Sequence, residues 1–118
     1  MISAVAETQP SDHDSLSHAA ALLKGFGDPT RLSILRQLAG GETRVVDLTR
    51  HLQLPQSTVS SHLSCLRECG LVEMEPRGRS SVYSLAHPEI LQLLAATEEL
   101  AAKVGPAVSL CPRTLGNS

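Results

Sequence analysis

The chain has 118 residues, 42% of them apolar, and 10 Lys and Arg against 12 Asp and Glu give a formal net charge of −2. That length suits one domain around one core, and the apolar share excludes a disordered chain. With only two aromatics, Phe26 and Tyr83, a stacking platform for single-stranded nucleic acid is excluded, and the acidic balance excludes a polycation that coats DNA indiscriminately. No apolar run approaches the ~18 residues of a membrane span, and Met1–Pro10 lacks the basic and apolar regions of an export signal. A cytoplasmic protein without membrane contact is the expectation.

Residues 1–13 mix Ser, Thr, Gln, Asp and Pro without a period and read as a mobile arm. From Asp14 to Gly25, Leu16, Ala19, Ala20, Leu22 and Leu23 recur at helical spacing. Asp28-Pro29-Thr30 then supplies an N-cap and a proline at the first helical position. The helix it opens carries Leu32, Ile34, Leu35 and Leu38 to a stop at Gly40-Gly41. A short helix from Thr43 to about Leu52 turns Val45, Val46, Leu48 and Leu52 inward, and Gln53-Leu54-Pro55 forms a turn. The fourth helix runs from Gln56 to Cys69 and ends at Gly70.

Beyond Gly70 the period falls from that of a helix to two. Leu71-Val72-Glu73-Met74-Glu75 and Ser81-Val82-Tyr83-Ser84-Leu85 alternate as half-buried strands do. Pro76-Arg77-Gly78-Arg79-Ser80 joins them as a hairpin loop. His87-Pro88 caps a last amphipathic helix that reaches about Val104, where Gly105-Pro106 breaks it. The expected organisation is an arm (1–13), a domain (14–104) and a tail (105–118) that carries Cys111. The fold class is mainly α with a β-hairpin wing, in the order α-α-α-α-β-β-α: a winged helix-turn-helix.

The fourth helix sorts into three sectors at ~100° per residue. Val59, Leu63 and Leu66 make a narrow apolar stripe, and Gln56, Ser57, Ser60, Ser61, Ser64 and Arg67 lie opposite. Short side chains let a helix enter the major groove, and Gln, Ser and Arg can read base edges. A plain solvated face is the competing reading, but such faces favour Glu, Lys and Ala over Ser. Arg77 and Arg79 in the hairpin add cations that can meet phosphate or the minor groove, unless the loop is merely a solvated turn. Between Glu42 and Ser81, Arg44, Arg50, Arg67, Arg77 and Arg79 balance Glu42, Asp47, Glu68, Glu73 and Glu75, and Gln56–Arg67 holds no acid. Local charge, and not the total, is what bears on DNA.

Two stretches, Asp28-Pro29-Thr30-Arg31-Leu32-Ser33-Ile34-Leu35 and Ser57-Thr58-Val59-Ser60-Ser61-His62-Leu63-Ser64-Cys65-Leu66-Arg67-Glu68-Cys69-Gly70-Leu71-Val72, resemble the hallmark segments of the ArsR/SmtB family. Gly78-Arg79-Ser80-Ser81-Val82-Tyr83-Ser84-Leu85 resembles its wing. The likeness spans roughly residues 16–104. It implies a homodimeric repressor that leaves double-stranded operator DNA when an inducer, usually a metal ion, binds. Thr58 is counted with the candidate DNA-binding residues, while His62 reads as structural or DNA-proximal. The family's turn often carries Gly where Gln53 stands, and Ser where Pro55 stands. Pro55 suits a first helical position, whereas a positive φ at Gln53 would be unfavourable for a side chain.

The third sector of the fourth helix holds Cys65 and Cys69. An odd count of three cysteines does not suggest a disulfide framework. At i and i+4 their Cβ atoms lie ~5–6 Å apart, wide of the ~3.8 Å of a relaxed disulfide. Two such thiolates can share one soft ion; two buried core thiols are the alternative. Cys111, in a segment with little else to bury, adds a third donor. Three thiolates suit Cd(II), Pb(II) or As(III), with Zn(II) also admissible, and exclude ions that prefer carboxylates.

Subclasses of the family place inducer sites differently. The Cys-X-Cys-like motif of one group would fall at Arg44-Val45-Val46-Asp47, where it is absent. The Asp/His/Glu set of another is incomplete in the last helix, which offers His87, Glu89, Glu98 and Glu99 without a second His. Cys65, Cys69 and Cys111 instead resemble the cadmium/lead sensors. That likeness implies a site bridging two protomers with Cys111 from the partner chain, although spacing alone leaves the donor chain open. A thiol-redox, persulfide or As(III) sensor using the same cysteines remains an alternative. A metal buffer or thiol protein without operator binding is a remoter one. No paired acid and base, phosphate loop or nucleophile–His arrangement points to an enzyme.

Overall fold

Local signals start and stop the helices at Asp28, Gln53 and Gly70, and the computed structural model describes their arrangement over residues 9–109, with side chains over 14–105. In chain order the elements are α1 (Gln9–Phe26), α2 (Pro29–Ala39), β1 (Thr43–Arg44), α3 (Val45–Leu52), α4 (Gln56–Glu68), β2 (Val72–Arg77), β3 (Ser80–Leu85) and α5 (Glu89–Ser109). They fall into two compact units, Met1–Ala86 and His87–Ser118.

In the first unit, Asp28 caps α2 by accepting the Arg31 N–H at 3.0 Å, and Pro29 opens the helix. Such a cap is worth ~1 kcal/mol. α2 buries Ile34, Leu35 and Leu38. α3 ends at Gln53, whose φ of 55° and ψ of 46° are left-handed. The N–H groups of Gln53 and Leu54 both donate to the Thr49 carbonyl. This turn aims α4 away from α3, as a helix-turn-helix requires. Pro55 is the N-cap of α4 and not its first helical residue; its carbonyl accepts from Thr58 and Val59, each at 3.1 Å. Val59, Leu63 and Leu66 are 0% exposed, so the apolar stripe is buried as its spacing predicts. Phe26, Leu48, Leu71, Val72 and Val82 complete this core.

The sheet is antiparallel in the order β1-β3-β2. Thr43 and Arg44 pair with Tyr83 and Val82, so Thr43 starts a strand and not the third helix. The reason is tertiary: β3 offers its backbone groups to the passing chain, and a β-branched Thr fits the ladder. The expected five-residue hairpin loop also narrows. Arg77 pairs with Ser80, leaving Gly78 (φ 62°) and Arg79 as a two-residue turn. Glycine suits the positive φ that such tight hairpins demand at their first central position.

Two helix ends differ from expectation. α1 begins at Gln9, ahead of the expected Asp14 and inside the expected arm. Proline is tolerated in a first turn, so Pro10 is no obstacle. α5, in the second unit, runs through Gly105-Pro106 to Ser109 instead of breaking there. Ile90 and Leu94 on α5 are buried, while Leu91, Leu100 and Val104 are exposed.

Candidate metal centre and nucleic-acid interface

α4 carries both candidate sites. Its buried stripe fixes the rotation of the helix, and Gln56, Ser57, Ser61, Ser64 and Arg67 are exposed on it; Thr58 and Ser60 are half-buried. The Arg67 guanidinium has no ion pair among the described residues. His62 is half-buried, and its Nδ1 accepts from Arg31 Nε at 3.3 Å. Arg31 also donates from Nη1 to the Gly25 carbonyl at 3.5 Å, so one guanidinium reaches from α2 to the end of α1 and to α4.

The two wing arginines differ. Arg77 donates to both oxygens of Glu42, at 2.7 and 3.0 Å, and to Glu75 at 3.3 Å. These carboxylates hold its guanidinium more firmly charged, Glu42 foremost. Arg79 sits exposed in the turn with no hydrogen bond or ion pair among the described residues. Glu75 is legible as a neighbour of Arg77, two residues along the same strand face. Glu42 is not, because it lies 35 residues away in sequence.

Cys65 is half-buried and Cys69 exposed. Cys69 is the C-cap of α4, its N–H donating to the Cys65 carbonyl at 3.0 Å. The i, i+4 spacing places the two cysteines one turn apart at the end of α4, near enough for the Cys65 sulfur to act on the Cys69 thiol. Partial burial pushes the Cys69 thiol above its ordinary pKa, and the Cys65 sulfur and the bond between the thiols push it further. Arg31 pulls it the other way, and Glu68 adds a smaller upward push. Gly25 lies beside this sulfur: a Cβ there would stand at ordinary contact distance, 3.9 Å from Cys69 Sγ and 4.0 Å from Leu71 Cδ1.

Two adjacent thiols, one open to solvent, fit a thiophilic ion that finds further donors elsewhere. Cys111, the expected third donor, lies outside the described residues. Among the described residues no three His, Cys, Asp or Glu side chains gather to hold a metal. Nor is any described helix long and apolar enough to cross a membrane. Gly25, Arg31 and Glu42 are the residues that sequence reasoning missed. Arg31 lies inside a hallmark stretch, but its His62 partner is 31 residues on and leaves no local signal.

Residues 28–74 match the bacterial regulatory protein, arsR family. The chain is 34% identical over 97 residues to the probable mercury resistance operon repressor of Streptomyces lividans, covering 82% of this chain and 78% of that one. It is 44% identical over 78 residues to the transcriptional regulator CmtR of Mycobacterium tuberculosis, 66% of each. The homodimeric winged helix-turn-helix DNA-binding domain of a possible ArsR-family regulator from Mycobacterium bovis superposes with a TM-score of 0.71 at 28% identity, over 77% of this chain and 84% of that one. These relatives are regulators of transcription and not enzymes. The chain belongs to the ArsR/SmtB metal-sensor family of winged-helix transcriptional regulators.

Proposed function

We propose that the protein is a dimeric repressor that binds a two-fold operator through α4 and the wing, and lets go when a soft ion, Cd(II) or Pb(II), is held by Cys65, Cys69 and Cys111. The observation that carries this reading is the placement of two cysteines one turn apart at the end of the same helix that presents the polar reading face. An ion captured by those thiols acts on the orientation of α4 directly. The reading residues are Gln56, Ser57, Thr58, Ser60, Ser61 and Arg67, with Arg79 at the wing tip; Arg77 joins them only when released from Glu42. His62 serves through its bond to Arg31.

A dimer is supported by exposed apolar side chains, Leu16 (70%) and Leu23 on α1 and Leu91 and Leu100 on α5. Such surface on a single chain calls for a partner. Two recognition helices then address half-sites about one helical turn of DNA apart. Similarity to a mercury resistance repressor supports a thiophilic inducer, and similarity to CmtR supports a metal ion in that role. Reduced thiols are consistent with a cytoplasmic setting. By linkage the ion weakens operator binding by the factor that DNA weakens ion binding, a coupling of ~1–3 kcal/mol.

The test is titration of the metal-free protein with Cd(II), Pb(II), Zn(II) and As(III), read by thiolate-to-metal absorbance and by release of operator. Cys111→Ser should keep operator binding and lose most of the metal response. Unchanged operator affinity on adding Cd(II) or Pb(II) refutes the proposal. A mass increase after oxidant, with release but no charge-transfer band, would instead establish a thiol-redox sensor.

A further inference from the structure

Five arginines lie between Glu42 and Ser81, and the fold neutralises two of them. Asp47 takes Arg50 at 3.1 Å, and Glu42 takes Arg77 at 2.7 and 3.0 Å. Those two carboxylates are also the acids nearest to Arg44 along the chain, one on each side of it. Both are committed elsewhere. Arg44 is exposed, and its guanidinium makes no hydrogen bond or ion pair among the described residues.

Nothing in the fold calls for arginine at this position. Arg44 is the N-cap of α3, and its side chain makes no capping bond. Ser, Thr, Asp or Asn is favoured there, and a cation at the positive end of a helix is destabilising. β1 uses only the Arg44 backbone, which pairs with Val82 of β3. The position does suit DNA. α3 is the first helix of the helix-turn-helix, the one that crosses the DNA backbone while the second enters the groove. Arg79 at the wing tip precedes Val82 by three residues, roughly 10 Å along an extended strand. β3 itself carries no charged residue, so Arg44 and Arg79 stand as separate cations, far enough apart to meet different phosphates.

We propose that Arg44 is a further DNA-binding residue, one that holds a backbone phosphate at the start of α3 while the face of α4 reads bases. This rests on the operator-binding reading of α4 and the wing. A phosphate contact fixes position and adds affinity but carries no sequence information. Arg44 therefore strengthens binding to any duplex, and its removal leaves the preference for one sequence over another intact.

The experiment uses the metal-free full chain and two labelled duplexes: one selected by the wild type from a pool of random sequence, and a scrambled duplex of equal length. Binding over a salt series is compared for the wild type, Arg44→Gln and Arg44→Ser. Losing one phosphate contact per protomer, two per dimer, should make the slope of log K against log salt shallower by about 1.8 on both duplexes. The affinity gap to the wild type then widens roughly tenfold between about 200 and 50 mM salt. The ratio of the two duplex affinities should stay constant. Arg44→Ser should also melt a few degrees higher, since serine caps a helix and arginine does not. An unchanged slope in Arg44→Gln overturns the assignment, and so does a changed duplex ratio, which would make Arg44 a base reader. A lower melting temperature in Arg44→Ser gives the residue a structural role and overturns it as well. A wild type that selects no duplex from the pool overturns the operator reading itself.

Discussion

Replacing Glu42 by Gln tests how the wing meets DNA. Glu42 holds Arg77 through two bonds of 2.7 and 3.0 Å, and Glu75 adds one of 3.3 Å. The Arg77 and Glu42 side chains are 47% and 48% exposed, so the pair contributes only ~0–1 kcal/mol to folding and its loss should leave stability nearly unchanged. Its effect on DNA is larger. While Glu42 is ionised, Arg77 is neutralised within the protein and displaces few counterions from the duplex. Glu42→Gln frees it to meet one more phosphate in each protomer, two in a dimer. Each phosphate neutralised steepens the fall of log K with log salt by about 0.9, so the slope should steepen by about 1.8. Between about 200 and 50 mM salt that difference is worth roughly an additional tenfold in affinity. Fluorescence anisotropy of a labelled operator with metal-free protein, repeated over a salt series, reads both quantities. An unchanged slope would show that the wing base never reaches phosphate. Weaker binding by the variant at low salt would show that Glu42 presents Arg77 to DNA instead of withholding it.

Gln53→Gly should stabilise the fold. A side chain at φ 55° costs about 1–2 kcal/mol, and the greater freedom of glycine in the unfolded chain returns about 0.4–1 kcal/mol of that. The melting temperature, compared at one protein concentration, should rise by a few degrees; a fall would contradict the strain. Cadmium affinity should rise with pH. Because the Cys69 pKa lies above the ordinary thiol value, its proton is present through neutrality and must leave when the ion is captured. Each thiol deprotonated adds about one decade of apparent affinity per pH unit, until the pH passes that raised pKa. Competition with a chelator between about pH 6 and 8 measures the slope, and a flat profile would exclude thiolate ligands.

Much of α4 was legible before any coordinates. Val59, Leu63 and Leu66 recur on one side of the helix and are buried together, because helical periodicity and a single core leave them no other place. The Asp28 cap follows from its immediate neighbours in the chain, whereas the positive φ at Gln53 stood in the sequence only as a condition that the structure then met. The pairing of Cys65 with Cys69 follows from i, i+4 geometry alone. By contrast, β1 is only two residues long, too short for any period, and exists because β3 passes beside it. At the other end of the scale, Gly105-Pro106 reads as a stop, yet α5 continues through it.

The sequence by itself determined which face of α4 is buried, and that two sulfurs stand one turn apart on it. Both are properties of residues within a few positions of each other, where backbone geometry alone sets the distances. Only the tertiary structure decided that Arg77 is claimed by Glu42 while Arg79 is not, that Gly25 walls the Cys69 sulfur, and that Arg31 reaches His62. Those contacts join groups far apart in the chain. A charge or a hydrogen-bonding group has no preferred partner in sequence, and finds one only where packing brings two elements together.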